Sequence, residues 1–122
     1  AADLDELVGV LGTADEPPSV ILQEVGYPSS AEVGSSEPTQ QLFFESLLQA
    51  LGSRRSRIPF VGVYALHEPE PEQCEAQARA MGLGGQAQAI AARCSLGLHD
   101  RVGAPKPSWL TVSAGLAAFA VP

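Results

Sequence analysis

Two short apolar runs, residues 19–25 and 59–66, constrain this chain more than any other feature. Each is continuous rather than alternating and is rich in β-branched or aromatic residues. Each also ends on a turn signal: Gly26 through Ser30 after the first, His67-Glu68-Pro69 after the second. That pattern predicts short strands buried on both faces, as in a parallel sheet. Residues 26–58 between them are long enough for a right-handed parallel crossover. This connector holds the clearest predicted helix, 37–51. Ser36 or Glu37 precedes it, Pro38 suits a first turn, and Gly52 ends it. Phe44, Leu47, Leu48 and Leu51, joined by Phe43, form its apolar stripe.

The remaining segments are helical or turn-like. Residues 3–12 read as a helix with Asp3 as cap, Glu6 at capping-box spacing, and Leu4, Leu7, Val8 and Leu11 on one face. Gly12 is its predicted stop, and residues 13–18 are a connector. Residues 70–94 read as two helical pieces broken at Gly82–Gly85, and 95–107 as a Gly- and Pro-rich loop. Residues 108–119 read as a last helix with Trp109, Val112, Leu116 and Phe119 on one side. Trp109 at that spacing reads as core. Arg54, Arg55 and Arg57 follow the 37–51 helix and read as its solvated, dipole-favoured end rather than an anion site.

The order helix, strand, helix, strand, helical segment, helix makes this an α/β chain. Two parallel strands alone are too few, because each leaves an edge of unpaired N–H and C=O groups. The pair therefore needs company, either further strands of a longer chain or other copies of this one.

Composition narrows the partners. Apolar residues make up 45% of the chain, which predicts a globular fold, and the formal net charge of −7 argues against nucleic acid or an anionic membrane as the main partner. No run approaches the roughly 18 apolar residues of a membrane span. The acidic start, Ala1-Ala2-Asp3-Leu4, is unlike a signal peptide. His67, His99 and Asp100 lack metal-ligand spacing, and no phosphate loop, paired Cys-x-x-Cys or nucleophile elbow is present, so neither metal nor cofactor is expected. Cys74 and Cys94 flank the helical segment 70–94. They are either one disulfide clamping it or two buried free thiols.

Glu24 stands out on position alone. A carboxylate closing an apolar strand is costly unless it is solvated, paired or used. In a parallel barrel the C-terminal strand ends form the active face.

The run Val20-Ile21-Leu22-Gln23-Glu24-Val25-Gly26-Tyr27-Pro28-Ser29 resembles the nucleophile segment of retaining TIM-barrel glycoside hydrolases, most plainly the glucan endo-1,3-beta-glucosidases. There an apolar seventh strand ends in Glu, followed by a Gly-aromatic-Pro-Ser turn. Gln40 through Phe44 is similar to the seventh helix of that family, and Phe60 through Glu68 to its eighth strand. Ser95 through Asp100, with Gly103-Ala104-Pro105-Lys106-Pro107-Ser108-Trp109, is similar to its closing phrase. The likeness covers nearly the whole chain. It implies a partial (β/α)8 barrel, from roughly the sixth helix through the eighth, with residues 1–122 as the C-terminal portion of the catalytic domain.

Carried over, the resemblance makes Glu24 the nucleophile of a retaining O-glycosyl hydrolysis. Tyr27 either lines the site or packs, with packing favoured, and His67 and Glu68 are placed to bind sugar hydroxyls. The implied partners are a poly- or oligosaccharide and the N-terminal part of the barrel. The implied location is secreted or periplasmic, where a Cys74–Cys94 disulfide would form. The second carboxylate of that family follows an Asn, and this chain contains no Asn. The chain alone is therefore expected to be inactive. The rival expectation is a non-catalytic α/β module that binds carbohydrate or assembles with itself.

Overall fold

A computed structural model describes residues 2–11 and 19–120. The elements in chain order are α1 (Ala2–Leu11), β1 (Ile21–Val25), a 3₁₀ turn (Ala31–Val33), α2 (Glu37–Gly52), β2 (Phe60–Val63), α3 (Pro71–Ala80), α4 (Ala87–Cys94) and α5 (Pro107–Ala120). β1 and β2 form a two-stranded parallel sheet. The α/β pattern and the parallel crossover thus stand as the sequence predicts.

Local chemistry sets the helix ends. Ser36 is extended, and its hydroxyl accepts from the Thr39 amide at 3.2 Å, so Ser36 rather than Glu37 is the cap of α2. At the far end Arg54 donates to the Ala50 carbonyl at 2.7 Å and its Nε to Asp5 at 2.8 Å. A cation there meets the negative end of the helix dipole as expected, but the segment is not the solvated end its sequence predicts: Arg54 is 20% exposed in a pair with Asp5, and the Arg57 Nε and one Nη are buried. Asp3 lies within the first turn of α1 instead of ahead of it. It therefore complements the dipole and is not the predicted cap. Gly12, residues 13–18 and the side chains of Val8, Leu11 and Phe119 lie outside the described ones.

The core lies between α2, α5 and one face of the sheet. Phe44, Leu98 and Val112 are buried at its centre, surrounded by Phe43, Leu47, Val63, Trp109 and Leu116. Burying a side chain of the size of Phe44 contributes about 1.5–3 kcal/mol. The two helices approach closely because Gly115 of α5 has no Cβ; one there would run into the end of Leu48. Trp109 and Val112 sit in the core as their spacing predicts.

The strands are shorter and less buried than their composition suggests. Ile21 is 64% exposed and Phe60 52% exposed. Among the described residues the sheet meets the helical core through Val63. The apolar residues that would meet a second covering layer stay in contact with water.

Candidate functional site

Glu24 is the penultimate residue of β1, and its side chain is exposed. The pairing register explains how it comes to be so. Ile21 pairs with Phe60, Leu22 with Val61, and Val25 with Val63. The step from Leu22 to Val25 is one residue longer than the step from Val61 to Val63, which is a β-bulge in β1. Val63 packs on the helical core, so its partner Val25 and the Leu22–Val61 pair share that face. Strict alternation from Leu22 would send Glu24 to the helix side as well. The bulge resets the alternation. It leaves Glu24 with Ile21 and Phe60 on the face away from the helices. Gly62 permits the bulge, because a Cβ at that position would collide with the Gln23 carbonyl.

After Glu24 the chain turns sharply. Gly26 lies against the Tyr64 carbonyl too closely for any side chain, and the Tyr64 amide donates to Val25 at 2.9 Å. The Tyr27 ring stacks on Phe43 with centroids 4.7 Å apart, so Tyr27 packs. Its carbonyl accepts from Gln40 Nε2 at 2.8 Å. Gln40 is fully buried; the same amide reaches Gly97 O at 3.3 Å, and its Oε1 accepts from Ser108 Oγ at 2.8 Å. One side chain of α2 thereby joins the β1 turn, the 95–98 loop and the start of α5.

Beyond β2 the Tyr64–Ala65 peptide is cis. His67 is exposed, with its ring 4.9 Å from that of His99, and His99 lies 4.7 Å from Trp109. Glu68 turns inward. It pairs with Lys106 Nζ, which also donates to Ser29 Oγ at 2.9 Å. The Lys106 and Glu68 side chains are 4% and 13% exposed. The Ser95 carbonyl accepts from the Ser29 amide and hydroxyl at 3.0 and 3.1 Å, and its hydroxyl accepts from the Ser30 amide at 3.2 Å.

A cleft of about 520 Å³ opens beside this network, lined by Ser29, Glu32, Glu68, Ile90, Cys94 and Arg101 among others. Glu68 therefore borders a cavity, whereas Glu24 does not line it. Cys74 and Cys94 form a disulfide with Cα atoms 5.5 Å apart, which settles the two readings of this pair. Among the described residues Glu24 makes no hydrogen bond or ion pair, and no group of three His, Cys, Asp or Glu side chains converges on a metal position. No helix among them is long and apolar enough to cross a membrane.

Sequence reasoning missed Gln40, Ser95 and the role of Lys106. Gln40 carries a legible signal, since it lies one helical turn before Phe44 on the apolar stripe. Lys106, between Pro105 and Pro107 ahead of a helix, offers none that predicts burial.

The fold and this end of the sheet define a mixed α/β unit: a bulged parallel strand pair, an α2–α5 core that Val63 packs on, and a disulfide-tied helical hairpin. No protein-family model, curated protein or solved structure matches the chain.

Proposed function

We propose that this chain is the part of a retaining (β/α)8 glycoside hydrolase that supplies its nucleophile, Glu24. The observation that carries the reading is the bulge in β1. It sets an unpartnered carboxylate at the C-terminal end of a parallel strand, on the face that a closed barrel would turn inward. Two further observations support it. The neighbours on that face, Ile21 and Phe60, are apolar and uncovered, as strands awaiting the rest of a barrel would be. The disulfide favours an oxidising compartment, consistent with a secreted or periplasmic enzyme.

In this reading Glu24 attacks the anomeric carbon and displaces the leaving group, which takes a proton from a second carboxyl group supplied elsewhere in the barrel. Water then cleaves the glycosyl ester formed on Glu24. The two carboxyl groups of such a site stand about 5–5.5 Å apart. Glu68 is unsuited to be the second, because Lys106 holds it as a buried ion pair.

The test uses the complete barrel that contains this chain. Incubation with an activated 2-deoxy-2-fluoro glycoside is expected to leave a sugar adduct on Glu24, and Glu24→Gln is expected to abolish both adduct and turnover. An adduct elsewhere, or turnover unchanged in Glu24→Gln, removes Glu24 from the mechanism.

The rival reading is a carbohydrate-binding or self-assembling module. The exposed Ile21 and Phe60 favour its self-assembling form, since a second copy could cover them. It predicts sugar binding by calorimetry that survives Glu24→Gln and is not followed by hydrolysis.

A further inference from the structure

The helical hairpin α3–α4 has little apolar burial of its own. The only buried residues of α3 are Cys74 and Ala78, and α4 has none. Among the described elements α3 packs on α4, and α4 on the 3₁₀ turn after β1. With so few buried side chains in α3, the disulfide is a principal tie of α3 to the end of α4. Cys94 also ends α4 and directly precedes Ser95. Ser95 is buried and holds the turn after Glu24, through its carbonyl to Ser29 and its hydroxyl to Ser30. The same hydroxyl donates to Ala91 in the last turn of α4 at 2.8 Å. A continuous path of bonds therefore runs from the disulfide to the loop that begins two residues beyond Glu24.

The geometry points to a redox latch. Oxidised, the Cys74–Cys94 bond closes the base of the hairpin, holds α3 against the end of α4 and keeps Ser95 fixed beneath the β1 turn. Reduced, it releases α3 from the end of α4 and loosens Ser29 and Ser30. The access route is asymmetric: Cys74 is fully buried, whereas Cys94 lines the cleft. The reductant is a dithiol. Its thiolate attacks the Cys94 sulfur from the cleft and expels the Cys74 thiolate, which takes a proton. The second thiol of the reductant then resolves the mixed disulfide and releases Cys94 as a thiol. Two electrons and two protons reach the protein, and the dithiol leaves as a cyclic disulfide. The latch does not depend on Glu24 being a nucleophile.

The test is amide hydrogen exchange on this chain, oxidised and then reduced with excess dithiothreitol at neutral pH. Reduction is expected to speed exchange by at least about tenfold over residues 71–94 and at the Ser29 and Ser30 amides, with the Phe44–Leu51 part of α2 unchanged. The Cys74→Ala/Cys94→Ala variant is expected to reproduce the reduced pattern without reductant. Faster exchange confined to 71–94 would overturn the coupling to the β1 turn. Loss of protection in α2 as well would make the disulfide a global staple instead of a latch. No change on reduction would remove the device altogether.

Discussion

Lys106 and Glu68 form an ion pair from which water is nearly excluded, and Lys106 also donates to Ser29. Three segments distant in sequence meet there: the turn after β1, the exit of β2 and the entry to α5. Two charges withdrawn from water gain little over an apolar pair of the same shape, but removing one strands the other.

Lys106→Met is therefore expected to destabilise the chain by about 3–5 kcal/mol, because it leaves the Glu68 carboxylate buried and alone. The double substitution Lys106→Met/Glu68→Leu is expected to recover most of that loss. Urea unfolding followed by circular dichroism checks both. A double variant no more stable than the single one would show that the pair itself, and not the stranded charge, carries the stability.

Gln40→Met keeps the volume of the side chain and removes its polar end. The Tyr27 carbonyl and the Ser108 hydroxyl then lose their partner in a buried place. A cost of about 1–3 kcal/mol in unfolding free energy is expected from each group left unsatisfied. A variant as stable as the parent would mean that water replaces the amide.

At Gly62 the expected loss has a different origin. A methyl group there meets the Gln23 carbonyl at the bulge, so Gly62→Ala must either shift β2 or remove the extra residue from the pairing. Broadened or displaced amide resonances over residues 21–25 are expected in an NMR spectrum. Resonances unchanged in that strand would contradict the tight approach.

Phe60 separates the isolated chain from a closed barrel. With half its surface in water, Phe60→Ala should change the stability of this chain by less than about 1 kcal/mol. In a barrel that covers this face the same change should cost about 3–5 kcal/mol. Equal effects in the two settings would count against the proposed barrel covering Phe60.

Much of the architecture was legible because helices and short parallel strands advertise themselves through local periodicity. The stripe of Phe44, Leu47, Leu48 and Leu51 named the buried face of α2, and Trp109 and Val112 named that of α5. The candidate site was legible only in part. Glu24 was placed at a strand end, but the face it occupies was not readable, since a bulge depends on how two strands pair. For Tyr27 the sequence favours packing over lining the site, and the fold supplies the partner, Phe43, on which its ring stacks. The resemblance makes Glu68 a sugar-binding group, and nothing local reveals that Lys106 lies against it.

By itself the sequence determined the order of elements, the parallel crossover and the apolar faces, which follow from local periodicity, turn signals and connector length. Tertiary structure alone decided which cysteines bond, which charges pair out of water and which way Glu24 points. Those outcomes depend on groups brought together from segments tens of residues apart, for example Ser29 with Ser95 and Lys106. Their partners exist only once the chain has folded.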